Sequence, residues 1–132
     1  MIGVIIAGHG RLAKYLMEIA EKIVGEIPEV SPICVDEEDT HVEIKEKVRK
    51  AIRELKSEEI IALTDVFGGS ATNICASLAG ERDIRVITGV NLPMLLELYN
   101  CRNIEDIDEL TMRLVRAGKN SIREACALMK KK

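Results

Sequence analysis

Tryptophan is absent from the chain and aromatic residues make up only 2% of it, so the interior has to be packed from aliphatic side chains. The same scarcity removes the ring faces on which single-stranded nucleic acid stacks. A basic face is missing as well: the formal net charge is −3, and the one concentrated basic run is the terminal Lys130-Lys131-Lys132. Nucleic acid is therefore set aside as a partner, because its recognition needs a positive footprint. No stretch approaches the roughly 20 apolar residues of a membrane span. The first apolar run, residues 2–8, is short and carries neither a basic flank nor a cleavage-like site. A secretory signal is not expected, and a cytoplasmic location follows. Cys34, Cys75, Cys101 and Cys126 lie far apart and form no CxxC pair. They are expected to be reduced, with Cys34 and Cys75 in the core; neither a metal site nor a cofactor is indicated.

What is present is aliphatic and charged residues in the proportions of an ordinary globular protein, 47% and 31%. A length of 132 residues suits one compact domain over 1–132 with a three-layer core. Residues 2–8 are apolar without interruption, which predicts a short strand buried on both faces. Leu12, Leu16, Ile19, Ala20 and Ile23 then recur at helical spacing, with Gly25 and Pro28 as the stop. Residues 33–35 read as a second strand, and Asp36-Glu37-Glu38-Asp39 as a solvated turn. Thr40 with Glu43 forms a capping box ahead of a helix whose inner face is Ile44, Val48, Ala51, Ile52 and Leu55; His41 is read as a surface residue in its first turn. Residues 60–64 and 84–88 are two more strands, separated by a helix over about 71–78 that ends near Gly80. Pro93 suits the first turn of a helix lined by Met94, Leu95 and Leu98. Asp106 caps another, with Ile107, Leu110, Leu114 and Val115 inward and Gly118 as its end. Over 121–129 two patterns stay open. Ile122, Ala125, Cys126 and Met129 fit a helix, which the spacing favours, whereas Ile122, Glu124, Cys126 and Leu128 alternate as in a strand. Strands alternating with helices predict a parallel sheet covered on both faces.

Three loops carry chemistry: Gly8-His9-Gly10 after the first strand, Asp65 to Ser70 after the third, and Gly89 to Pro93 after the fourth. All follow the carboxyl ends of parallel strands and so share one sheet edge. Ligands of open α/β sheets bind on that edge, at the point where strand order reverses. With the first strand central, that point puts His9 beside Asp65. A neutral imidazole is a nucleophile, and a carboxylate on Nδ1 would fix its tautomer and leave Nε2 to attack. Gly68 and Gly69 allow close backbone approach to an anion next to a helix N-terminus, and Ser70 adds a hydroxyl. Each feature alone has a plainer account. His9 could be structural, its flanking glycines could serve a tight turn, and Asp65 could be a helix cap. A Ser70 nucleophile is disfavoured because the chain lacks the G-x-S-x-G elbow.

Ile5-Ile6-Ala7-Gly8-His9-Gly10, Asp65-Val66-Phe67-Gly68-Gly69-Ser70 and Gly89-Val90-Asn91-Leu92-Pro93-Met94 together resemble the IIA domain of the mannose/fructose/sorbose class of the bacterial phosphotransferase system. The likeness covers essentially the whole chain. It implies an α/β/α fold with four parallel strands in the order 2-1-3-4. It implies that His9 accepts a phosphoryl group on Nε2 from phospho-HPr and passes it to an EIIB component, on a separate polypeptide, which serves sugar entering through the membrane subunits EIIC and EIID. Asp65 matches the carboxylate that orients the histidine, and Gly68, Gly69 and Ser70 match the phosphate-binding loop. Gly8, Gly10 and Asn91 are candidates for support of the site, Asn91 lying in the matching fourth-strand loop. The resemblance further implies a homodimer that exchanges an antiparallel C-terminal strand, which makes 121–129 a strand against its own pattern. Two positions depart from the family: Gly8 stands where many members have Thr, and Ala71 where many have Pro. Other functions to separate from the phosphocarrier are the phosphotransfer subunit of phosphoenolpyruvate-dependent dihydroxyacetone kinase and a regulatory binding module. Phe67, Leu92 and Met94 are candidates for an apolar docking rim, or for core.

Overall fold

The computed structural model describes residues 1–130. The apolar run near the start of the chain is strand β1 (Gly3–His9), buried at every residue except His9. Helix α1 (Leu12–Val24) follows after a tight turn, then strand β2 (Val30–Val35), helix α2 (His41–Leu55) and strand β3 (Glu59–Thr64). Helix α3 (Ser70–Ser77) runs on into a single 3-10 turn before strand β4 (Asp83–Thr88). Helices α4 (Leu92–Asn100), α5 (Ile107–Asn120) and α6 (Ala125–Lys130) complete the described chain.

The four strands form one sheet in the order β2-β1-β3-β4, and every pairing is parallel. Alternation along β1 sorts its side chains onto the two faces. Val4 and Ile6 join Ile61, Leu63, Leu95, Leu98, Leu110 and Leu114 under α1, α4 and α5. Ile5 and Ala7 join Ile33, Ile44, Val48, Ile52, Ile60 and Ala62 under α2 and α3. The result is the expected three-layer α/β/α arrangement, with helices satisfying both faces of a sheet that has no polar side. No helix among the described residues is long and apolar enough to cross a membrane.

Local signals act where the sequence placed them. Thr40 Oγ1 accepts the Glu43 N–H at 3.1 Å while the Glu43 carboxylate accepts the Thr40 N–H at 3.3 Å, closing the capping box of α2. Asp106 accepts the N–H groups of Asp108 and Glu109 at the start of α5. Strand β2 begins three residues before the expected 33–35 and contains Pro32, which its position at the sheet edge tolerates.

Two expectations are corrected. Of the residues given to the inner stripe of α1, Leu12, Ile19 and Ile23 are exposed; the helix packs through Ala13, Leu16, Met17, Ala20 and Val24 instead. The helix is apolar on two sides, so periodicity alone did not choose between them. Gly118 does not end α5, which runs to Asn120. It is buried mid-helix, where an added Cβ would lie 2.8 Å from Met94 Cε, so its role is to let α5 pass close to α4. Residues 125–130 form helix α6 in the single chain, as their spacing favours. A lone strand leaves its backbone groups without partners, whereas Glu124 here accepts the N–H groups of Cys126 and Ala127 and starts a helix that satisfies its own.

A long-range tie goes unannounced in the sequence. Arg102, 4% exposed, donates to the carbonyls of Ile2, Pro28 and Glu29, fastening the α4–α5 connection to the entries of β1 and β2. Replacing Thr40 by Ala removes the hydroxyl that accepts the Glu43 N–H and leaves only the main-chain half of the α2 cap. It is expected to lower unfolding stability by about 1 kcal/mol, read as a shift in urea midpoint at unchanged slope.

Candidate active site at the carboxyl edge of the sheet

β1 lies between β2 and β3, and its register sets Ala7 opposite Thr64 and His9 opposite Val35. β1 thus runs two residues past its last partner on β3, Thr64, so His9 and the loop that follows β3 meet at the point where the strand order reverses. Gly10 turns the chain away from the sheet with φ +58, its N–H donating to Val35 O at 2.8 Å. A left-handed residue at that place favours glycine, and the turn leaves the His9 side chain 66% exposed at the rim.

Asp65 follows β3 directly. Its Oδ2 accepts the main-chain N–H of His9 at 2.9 Å and lies 2.7 Å from Nδ1 of the same residue. Its Oδ1 accepts the Val66 N–H at 2.9 Å. Burial pushes this carboxyl up, but the hydrogen bonds from the His9 N–H and ring, the charge of that ring and the Val66 N–H outweigh it, so the group sits below the usual carboxylate range. An ionised carboxylate facing Nδ1 makes that nitrogen the protonated one. Nε2 then carries the lone pair, and it has no hydrogen-bond partner among the described residues.

The loop beyond Asp65 brings backbone amides to the same ring. Gly68 takes φ +83, and Gly69 donates its N–H to Val66 O at 3.2 Å. A Cβ at Gly69 would lie 3.5 Å from His9 Cε1, an ordinary contact distance, which places this stretch of backbone beside the imidazole. Gly69 is also the N-cap of α3 and offers no side-chain acceptor. The first bond back to it comes from the Asn73 N–H, at 3.0 Å. The N–H groups of Ser70, Ala71 and Thr72 thus have no backbone partner among the described residues, at the helix end whose dipole favours an anion.

His9 and Ser70 line one side of an open cavity of about 790 Å³, and the acidic turn Asp36-Glu37-Glu38-Asp39 lines the other. Sequence pattern placed that turn in solvent; only the pairing of β2 beside β1 shows that it faces His9. Lys47 holds it in place, donating to Asp39 at 2.7 Å and to Cys34 O at 2.9 Å, with Asp36 at 3.6 Å. The lysine holds the Asp39 carboxyl below its ordinary range.

Other candidates fall elsewhere. Asn91 is spent on structure: it accepts the Met94 N–H at 3.1 Å to cap α4 and donates to Gly118 O at 3.3 Å. Met94 is core and Leu92 packs against it, while Phe67 is 84% exposed beside the site. Gly8 touches the machinery from below, since a Cβ there would come within 3.2 Å of Asp65 Oδ2. All four cysteines are free. Among the described residues no group of three or more His, Cys, Asp and Glu side chains is arranged to hold a metal ion.

Comparison with known proteins points to one family. A family model described as "PTS system fructose IIA component" matches residues 3–115. The sorbose-specific EIIA component of Lacticaseibacillus casei is 31% identical over 114 residues, covering 86% of this chain and 83% of that protein. The fructose-specific EIIA component of Bacillus subtilis is 35% identical over 104 residues, covering 77% and 71%. A crystal structure of the phosphotransferase system component EIIA from Streptococcus agalactiae superposes with a TM-score of 0.89 at 26% identity, covering 96% of this chain and 99% of that one. With its strand order, its length and its sequence in agreement, the chain belongs to the fructose IIA component family of the sugar phosphotransferase systems.

Proposed function

We propose that the protein is a phosphocarrier in which His9 Nε2 accepts a phosphoryl group from phospho-HPr and passes it to an EIIB component. The observation that carries this reading is the 2.7 Å pairing of His9 Nδ1 with an ionised Asp65, on a ring packed against the backbone that opens α3. In the transfer, the Nε2 lone pair forms a new P–N bond as the P–N bond to the donor's imidazole breaks, and the donor ring keeps that electron pair. The His9 ring becomes an imidazolium still carrying its Nδ1 proton, and the adjacent carboxylate offsets the new positive charge. No proton has to leave the site. On this reading the N–H groups of Ser70, Ala71 and Thr72 and the Ser70 hydroxyl receive the equatorial oxygens. Transfer to EIIB runs the same steps in reverse.

The acidic turn acts against the bound phosphoryl group. Like charge across the cavity raises the energy of phospho-His9 relative to the free histidine, which suits a carrier that must give the group up. The phosphoryl group then serves sugar entering through EIIC and EIID, with the carrier working in the cytoplasm. The same reading includes a homodimer, with residues 121–129 leaving α6 to add a strand to a second copy. It is supported by a β4 edge that pairs only with β3 among the described strands and by α6 having no buried residue.

Incubation with phosphoenolpyruvate, enzyme I and HPr is expected to add one acid-labile, base-stable phosphate; His9→Ala that keeps the label sinks the proposal. Asp65→Asn is expected to slow transfer by roughly 10²–10⁴-fold through loss of tautomer control, while folding is retained. That substitution also has a sign in pH. A carboxyl held low in the folded state stabilises fully above its unfolded value near pH 4 and loses that contribution as pH falls through the folded value. The stability gap between wild type and Asp65→Asn, measured by urea unfolding, should therefore close from pH 5 downward. Neutralising the wall with Glu37→Gln and Glu38→Gln leaves the Lys47 clamp intact. It should raise the phosphorylated fraction at equilibrium about 3-fold at low salt, an effect that fades at high ionic strength.

A further inference from the structure

Behind the site loop lies a pair of buried hydroxyls that the chemistry above does not use. Thr64 ends β3 with no exposed surface, and Thr72, 7% exposed, stands in the first turn of α3. Their Oγ1 atoms are 2.7 Å apart, and Thr72 Oγ1 lies 2.7 Å from Val66 O. A carbonyl only accepts and a hydroxyl has one proton, which fixes the direction of the chain. Thr72 donates to Val66 O, and Thr64 donates to Thr72. The Val66 peptide is gripped on both sides, since its N–H donates to Asp65 Oδ1 and its carbonyl takes Thr72 and, more weakly, Gly69. Thr64 is itself fixed from the far side by the Val90 N–H, which donates to its carbonyl at 2.9 Å. Val66 is the single residue between Asp65, which holds His9, and the Phe67-Gly68-Gly69 turn, which sets the amides of α3.

We infer that Thr72 is a positioning residue for transfer at His9: through the Val66 carbonyl its hydroxyl holds the 65–69 loop in the one arrangement that puts both the Asp65 carboxylate and the α3 amides on the imidazole. The inference rests on the phosphocarrier reading of the site. Its reach is local, because the Thr72 main-chain N–H, one of the phosphate-facing donors, survives any side-chain substitution. An apolar residue of the same shape would leave the buried Thr64 hydroxyl without an acceptor and the Val66 carbonyl with only its 3.2 Å bond.

Three variants of the full chain separate positioning from plain stability: Thr72→Val, Thr72→Ser, and Thr64→Val combined with Thr72→Val. The readouts are the rate of phosphoryl transfer from phospho-HPr, the urea midpoint, and the ring ¹⁵N shifts of His9, which report its tautomer. Thr72→Val is expected to lose at least 10-fold in rate and to shift His9 toward a mixture of tautomers. Thr72→Ser should stay within about 3-fold of wild type. The double variant removes the orphaned hydroxyl, so its midpoint should recover over that of Thr72→Val while its rate and tautomer mixture do not. A double variant that regains rate and midpoint together, or a folded Thr72→Val with wild-type rate and ring shifts, overturns the inference. If Thr72→Val fails to fold, the double variant and Thr72→Ser decide by the same criteria. Label retained by His9→Ala would instead overturn the underlying reading, whatever the threonine variants do.

Discussion

A single oxygen, Asp65 Oδ2, holds one residue by two handles: it accepts the main-chain N–H of His9 and faces the ring nitrogen Nδ1 of the same residue. The first bond fixes where the end of β1 lies; the second fixes which way the imidazole turns and which nitrogen is free. Neither is available unless β1 and β3 are adjacent and parallel, with β1 reaching two residues past the last β3 pair. The order β2-β1-β3-β4, with Ala7 opposite Thr64, supplies this. The aliphatic faces that force the sheet between two helical layers thus also set a side-chain geometry to a few tenths of an ångström.

Around that contact two fields oppose each other. The amino end of α3 and its unpaired amides favour an anion at Nε2, while the carboxylates of the 36–39 turn disfavour it from across the cavity. On the phosphocarrier reading proposed above, the first favours uptake of a phosphoryl group and the second its release. Lys47 matters here because it neutralises part of the acidic turn and pins it, so the repulsion comes from a fixed wall rather than from a strand of solvated charge.

Much of this was legible in residues close together in sequence. Buried strands appear as unbroken aliphatic runs, Thr40 with Glu43 announces its own cap, and the three loops on the carboxyl edge follow from strands alternating with helices. The adjacency of His9 and Asp65 needed one further step, the position of the strand-order reversal. What was not legible depends on partners distant in the chain. The outer stripe of α1 and the inner one are both apolar, so only packing tells them apart. Arg102 reads as a surface charge until its three carbonyl acceptors, all far away in sequence, are found. Thr64 and Thr72 look like ordinary strand and helix residues; their meaning lies in a hydroxyl-to-hydroxyl contact that no periodicity encodes.

Gly8 shows how one local choice can constrain the whole centre. A β-carbon there would sit 3.2 Å from Asp65 Oδ2, closer than a comfortable contact, and the carboxylate could yield only by straining one of its bonds to His9 or Val66. Glycine at this position avoids that contact. This chain leaves the space beneath Oδ2 empty of side chain and orders the carboxylate entirely from the His9 and Val66 N–H groups and the imidazole. The glycine lets a carboxylate held by those groups lie against the strand. One of those ties runs through the Val66 peptide unit, and the next carbonyl along is gripped from behind by the buried Thr72 hydroxyl.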